Sequence, residues 1–317
     1  MPAAKIQTKA RRVHLPVVSD RTPPAVSALF EYADDPRCIW CNRPRSIHAA
    51  PVDLGDGTTM VPACERINGG GKYRKEPPEP LPRPLRDRLD IALKMTSQQA
   101  AAIAGTLGRP SKMPGAAYGI DAFQCRVGGK LSDDPESTCH GCYAKRNFYR
   151  YWHAAVAARA KRHAAVHHRY WIEAMIVLIL EYIENGGEPA FRWHDSGDIV
   201  APWHLAAICA VAEATPNVRH WLPTREYEDV KTYLGAGGKI PPNLTVRLSA
   251  HYVGKAADVP AELAHLTTST THRMGEKPPV QKKGAIVCHA IDSPVNMCRK
   301  CRACWDPRVT NVSYRMH

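Results

Sequence analysis

The chain has 317 residues, 44 % of them hydrophobic, which is enough to bury one large core or two smaller ones. Its 43 Lys and Arg against 30 Asp and Glu leave a formal charge of +13, a balance that favours a polyanionic partner, nucleic acid before an anionic membrane surface. The opening MPAAKIQTKARRVHLP lacks the apolar core of a secretory signal and AMIVLIL is too short to span a bilayer, so a secreted disulfide scaffold and a membrane protein are both excluded as expectations. In a cytoplasmic chain, 11 cysteines, several in CxxC pairs, are better explained by metal than by disulfides.

Residues 1–30 are polar and basic, with Lys5, Lys9, Arg11 and Arg12, and read as a flexible arm. Residues 31–75 hold the first cysteine group, Cys38-x2-Cys41-x6-His48-x15-Cys64. Zinc takes four such soft or borderline ligands in a tetrahedron, so the expectation is a structural zinc module. Residues 76–112 begin with EPPEPLPRPLRDRL, where proline density enforces an extended spacer. A helical pattern with Leu89, Ile91, Ala92 and Met95 follows and is closed by Gly108 and Pro110.

The centre of the chain is AYGIDAFQCRVGGKLSDDPESTCHGCYAKRNFYRYW. A strand-like run is expected to end at Cys125, with a Gly-rich acidic loop leading to Cys139, His140 and Cys142. Helical spacing then runs from Phe148 to Leu178, too long for one globular helix, so two helices with a break near His163–His168 are expected. Arginines and lysines along this region would suit nucleic acid, and equally a solvated helix face.

From Pro189 strands and helices alternate, which means β-α-β units and a parallel sheet. The fold expected for residues 113–287 is therefore α/β, a partial or complete parallel β/α barrel of the TIM type, with the zinc module before it and a cysteine-rich segment, 288–317, after it. Polar residues gather where strands end: His194, Asp195, Ser196, Gly197 and Asp198; Thr224 and Arg225; Arg247 and Ser249; Ser269 and Thr270; Cys288 and His289. In a β/α barrel those ends form the active face. His194, Asp195, Asp198, Arg225 and Arg247 are expected to act on substrate or cofactor, the arginines because guanidinium makes paired bonds to carboxylate or phosphate. Ser196, Gly197, Thr224 and Ser249 are the expected cofactor contacts. Cys209, on a helix, reads as an ordinary buried thiol.

The C-terminal segment carries Cys288-x9-Cys298-x2-Cys301-x2-Cys304, four thiolates for one metal centre, closer to iron–sulfur usage than to a zinc ribbon. Cys125, Cys139 and Cys142 offer three ligands. On an iron–sulfur cluster they would leave one iron open, and on zinc a fourth ligand would come from His140, water or the tail.

Three cysteines at the end of the first strand of a β/α barrel resemble the radical S-adenosylmethionine enzymes. That resemblance implies a [4Fe–4S] cluster and S-adenosylmethionine as cofactors. The family spacing is Cys-x3-Cys-x2-Cys, against Cys125-x13-Cys139-x2-Cys142 here, and its Gly-Gly-Glu run is matched in type by Gly186, Gly187 and Glu188, which precede the strand that DSGD follows. Over residues 105–306 the chain resembles more closely the gene product eighty-eight family of mycobacteriophages, through GRPSKM, the Cys125 and CHGCYA group, FRWHDSGD, LPTRE, VRLSA and the terminal RKCRACW. This implies a phage-type protein working in the cytoplasm of an infected bacterium. The functional expectation is an iron–sulfur, radical S-adenosylmethionine-like enzyme acting on nucleic acid or a nucleotide. The alternatives are a non-catalytic, metal-stabilised nucleic-acid-binding protein and a thiol redox protein using Cys139 and Cys142.

Overall fold

A computed structural model describes residues 84–292, 297–298 and 300–316, together with the backbone of three short strands ahead of them. Those strands, β1 (Val52–Asp53), β2 (Thr58–Val61) and β3 (Gly71–Arg74), form an antiparallel sheet in chain order. Cys38, Cys41, His48 and Cys64, the expected zinc ligands, lie outside the described residues.

The main body is a seven-stranded parallel sheet flanked by helices. Its strands are β4 (Ala116–Tyr118), β5 (Ala190–Trp193), β6 (Arg219–Thr224), β7 (Leu244–Ser249), β8 (Thr267–His272), β9 (Ala285–Val287) and β10 (Asn311–Arg315). The first five lie side by side in chain order, and β10 then inserts between β8 and β9. Among the described residues each outer strand, β4 and β9, pairs on one side only, so the sheet does not close on itself there.

The alternation of side chains along the strands decides what each face meets. Phe191, Trp193, Leu222, Val246 and Leu248 point into the larger core, under the helices. The covering helices are α1 (Leu85–Lys94), α2 (Ser97–Ala104), α6 (Trp171–Glu184), α7 (Pro202–Ala214) and α8 (Tyr227–Gly235). Helix α7 is apolar on nearly every side and is buried on nearly every side, as expected of a helix wedged between others. A buried ion pair, Arg88 Nη1 to Glu173 Oε1 at 2.7 Å, ties α1 to α6. Between β4 and α6 run two short helices, α3 (Arg126–Leu131) and α4 (Asn147–Tyr151), and the longer α5 (His153–Ala165).

On the opposite face of the sheet Ala190, Trp221 and Val312 pack against Cys304 and Trp305 from the C-terminal segment. Arg247 holds that segment down. It is fully buried in the middle of β7, and its guanidinium donates to the carbonyls of Ala303, Cys304, Asp306, Val309 and Thr268 at 2.8–3.3 Å. Thr245 adds a bond to the Trp305 carbonyl, and the Trp305 indole donates to the Phe191 carbonyl.

Several local expectations shift. The helix expected at 89–107 is two, broken at Met95–Thr96, because Thr96 and Gln99 form a reciprocal capping box that starts α2. It closes at Gly105, whose φ of +79° suits a residue without Cβ. The strand expected to end at Cys125 ends at Tyr118, and Cys125 instead precedes α3, so part of the expected loop is helix. The long helical pattern breaks after Ala165 as expected, with α6 starting at Trp171, but it also breaks at Trp152, so it holds three helices rather than two.

Candidate active site

Because all seven strands are parallel, their carboxyl ends face one side, and the loops leaving β4 to β7 meet there. The Ile120 amide donates to the Ser196 carbonyl, and Ser196 Oγ returns a bond to the Ile120 carbonyl. The Thr138 hydroxyl donates toward the carbonyls of Ala250 and His251 after β7, and itself accepts from Arg225 Nε at 3.0 Å. Tyr143, next after Cys142, donates its hydroxyl to the Asp195 carbonyl.

This network gathers Cys125, Cys139 and Cys142. Gly128 shows how closely the first two lie: a Cβ there would stand 3.4 Å from Cys139 Sγ, 4.0 Å from Cys125 Sγ and 3.2 Å from Cys125 Cβ, and Cys142 is near enough for its charge to bear on both thiols. The backbone is set by short local bonds, Cys139 N–H to Ser137 Oγ and Cys142 N–H to the Cys139 carbonyl. Burial pushes the Cys125 and Cys139 thiols up, and the neighbouring thiols and Asp198 push the same way, partly opposed by Lys145 at Cys125 and by Arg225 at Cys139. A site that disfavours thiolate in isolation gains most from a cation that stabilises it.

The carboxylate of Glu226 anchors this group from the next strand loop. Its Oε1 accepts the backbone N–H groups of Arg126 and Val127 at 3.1 and 2.9 Å, the open donors at the start of α3. Arg126 pairs with Glu226 and with Asp229 of α8.

The predicted rim residues divide by role. Asp198 is buried and accepts the amides of Ile199 and Arg225 at 2.8 and 2.9 Å, so it ties the β5 loop to the β6 loop; burial, then Glu226, raises its pKa to about 6. Gly197, with φ +88°, has no room for a Cβ, which would sit 2.4 Å from Ile120 Cγ1. Thr224 Oγ1 accepts the Glu226 amide, and the Ser249 hydroxyl bonds the Ser269 hydroxyl at 2.9 Å. Thr270 accepts from the Asn311 amide, between β8 and β10. His194 lies in a buried aromatic and histidine group with Trp193 and His204; its Nδ1 is 2.6 Å from the Tyr118 carbonyl and burial lowers its pKa to about 4. Arg247 spends all its N–H donors on carbonyls, as above, rather than facing the rim. Asp195 differs: its Oδ1 is buried with no partner among the described residues and lies against the bare Cα of Gly119.

The C-terminal cysteines lie on the sheet's other face. Cys288, Cys298, Cys301 and Cys304 line one cavity of about 620 Å³ with Trp305, Met297 and His289. Cys304 Sγ is 3.1 Å from the Tyr314 hydroxyl, and burial pushes its thiol up to about 12. The Cys288 amide donates to the Ser313 carbonyl, and Arg302 grips Glu188 with two nitrogens. Between the two cysteine groups stands Arg192, whose guanidinium lies 4.7 Å from the Trp221 ring centre and whose charge is felt by Tyr143 and Cys298. Sequence reasoning missed Arg192, Glu226 and Tyr143. A lone arginine between Phe191 and Trp193 in a strand was a usable signal, since alternation sends it to the opposite face.

Among the described residues no group of three or more His, Cys, Asp or Glu is arranged to hold a single metal ion. No helix among them is long and apolar enough to cross a membrane. Comparison with known proteins finds no matching curated protein and no matching solved structure. The family described as Gene product 88 matches residues 114–307, more than half of the chain and a span that holds every strand from β4 to β9 and both described cysteine groups. The chain belongs to the phage Gene product 88 family.

Proposed function

We propose that the protein is an iron–sulfur enzyme of radical S-adenosylmethionine-like type, with its cluster on Cys125, Cys139 and Cys142 and with nucleic acid or a nucleotide as substrate. The observation that carries this reading is the approach of the Cys125 and Cys139 thiols beside Gly128, with Cys142 near enough for its charge to bear on both, at the carboxyl end of a parallel sheet. We read the three thiols as the donor set of a cluster rather than of one zinc ion. Zinc draws four ligands to about 2.0–2.3 Å from one point, whereas thiolates of a cluster bind different irons and stand farther apart.

A cluster held by these three thiolates would, once reduced by an external donor, supply an open coordination site for S-adenosylmethionine and the electron for its reductive cleavage. The chain's own groups would do the rest. Asp195 offers an unpartnered carboxylate oxygen for an amine or hydroxyl. Arg192 offers a cation close to the Tyr143–Asp195 pair. Asp198, Glu226 and Thr138 position the loops and touch no ligand in this scheme. The C-terminal cysteines, lining their own cavity, suit a second centre, and the Arg247 clamp supports it.

The competing reading, a metal-stabilised nucleic-acid-binding protein, draws on the same clamp, since it shows the C-terminal group serving the fold. Titrating the anaerobically reconstituted protein with S-adenosylmethionine separates the two. The enzyme reading expects a changed electron paramagnetic resonance signal of the reduced protein and loss of that change in Asp195→Asn. An unchanged signal at saturating S-adenosylmethionine would contradict it.

A further inference from the structure

The surface beside the first cysteine group combines aromatic rings with cations. Four large rings are exposed there: Phe123 (51 %), Tyr143 (52 %), Tyr151 (71 %) and Trp152 (57 %). Phe123 stands two residues before Cys125, and Tyr143 directly follows Cys142. Lys145 Nζ lies 5.9 Å from the Phe123 ring centre, and the Arg150 guanidinium carbon 5.8 Å from that of Tyr151. Tyr143 and Tyr149 meet edge to face at 5.3 Å, which links the turn after Cys142 to α4. Scattered exposed rings need no explanation, but four grouped in one neighbourhood mark a binding surface.

The charge of this stretch is one-sided. Between Glu136 and Glu173 the sequence holds seven Lys and Arg and no Asp or Glu, so over half of the net +13 falls in this short span. Among the described residues Lys145, Arg146, Arg150 and Lys161 form no ion pair. A merely solvated face usually mixes signs, whereas unpaired cations beside open rings match phosphates and bases. A membrane surface would ask for a long amphipathic helix with a continuous apolar face. Here the rings come instead from two short turns, a helix of five residues and Trp152 directly after it. A duplex hides its base faces, so stacking selects an unpaired strand.

We propose that single-stranded nucleic acid lies across this face, with bases stacked on Tyr143, Tyr151 and Trp152 and phosphates held by Lys145, Arg146 and Arg150. The strand then passes directly beside Cys125, Cys139 and Cys142. This names the substrate class of the reading above, and it rests on that reading only for the chemistry placed next to the strand.

Fluorescence anisotropy with the full-length chain tests it, using labelled dT and U oligomers of about 20 nucleotides and a duplex of equal length. The single strands are expected to bind about tenfold more tightly than the duplex, and the dT and U arms tell DNA from RNA. Trp152→Ala and Tyr151→Ala should each weaken strand binding about tenfold. Arg150→Gln should lower the slope of log affinity against log salt by about 0.7. These side chains are exposed, so unchanged circular dichroism would tie the loss to contact. Equal binding of strand and duplex, an unaffected Trp152→Ala, or preference for phosphatidylserine vesicles would each overturn the proposal. Iron content of the same preparations keeps the two claims apart. Iron without strand binding sinks this proposal alone, and strand binding without iron sinks the cluster alone.

Discussion

Arg247 shows how far a residue's role can lie from its local pattern. At the end of LTVRLS it reads as a rim arginine, but its five hydrogen bonds run to carbonyls, four of them more than fifty residues further along. Lysine cannot replace a planar fork with five donors. Arg247→Lys should lower the unfolding free energy by about 3 kcal/mol or more, read by urea denaturation, since buried carbonyls lose their partners. Activity alone would not distinguish this from a catalytic loss, but the stability change does. The partners lie in a distant, cysteine-rich segment, so neither hydrophobic period nor spacing could have pointed to them. The alternation in FRW did carry the position of Arg192, because a two-residue period is local.

Buried titratable groups set the expected pH response. His194, His163 and His220 are held neutral by burial, with pKa values lowered to about 4, 4 and 3, and burial lowers His204 well below its ordinary value too. Their contribution is present above the ordinary histidine value of 6.5 and is lost as pH falls through the folded values. Asp198 and Asp229, raised to about 6, act the other way: their contribution is present below 3.8 and lost as pH rises through 6. Four histidines outweigh two carboxyls, so the unfolding free energy should rise from pH 4.5 to pH 7. Urea midpoints across that window test this, and a falling midpoint would show the carboxyls dominate.

At the scale of elements, α3 is a six-residue helix with two adjacent glycines of opposite consequence. A Cβ at Gly128 meets Cys125 and Cys139, whereas one at Gly129 meets nothing within 4 Å. Gly129→Ala should raise stability by up to about 1 kcal/mol through helix propensity and leave metal content alone. Gly128→Ala should lower metal content by spreading the thiols. Thermal melts and metal analysis on the pair check this, and equal metal content in both would deny the thiols a shared site. Glu226 caps the same helix, so Glu226→Ala should cost about 1 kcal/mol and also reduce metal loading. The sequence placed Cys125 at a strand end because AYGIDAFQC is largely apolar. Gly119 and the turn capped by Asp121, whose side chain accepts the Phe123 amide, break the strand seven residues earlier.

For the whole molecule, alternating strand and helix patterns after Pro189 made the parallel sheet legible, and the order of β4 to β8 follows from short crossovers. The placement of β10 was not legible. NVSYR is short and half polar, and its seat between β8 and β9 depends on register with Thr268 and Ala285, far away in the chain. That insertion fixes the last strand of the sheet beside the cavity of the four C-terminal cysteines, as the first cysteine group is fixed at the ends of β4 to β7. The architecture thus presents two thiol groups to a common parallel sheet with Arg192 between them. The most direct test of the central claim is the iron and acid-labile sulfide content of anaerobically reconstituted protein, wild type against Cys125→Ala. Iron and sulfide are expected in equal amounts in the wild type, and Cys125→Ala should lose one cluster's share of both, about four atoms of each. Zinc alone in the wild type, or the same iron content in both proteins, would contradict it.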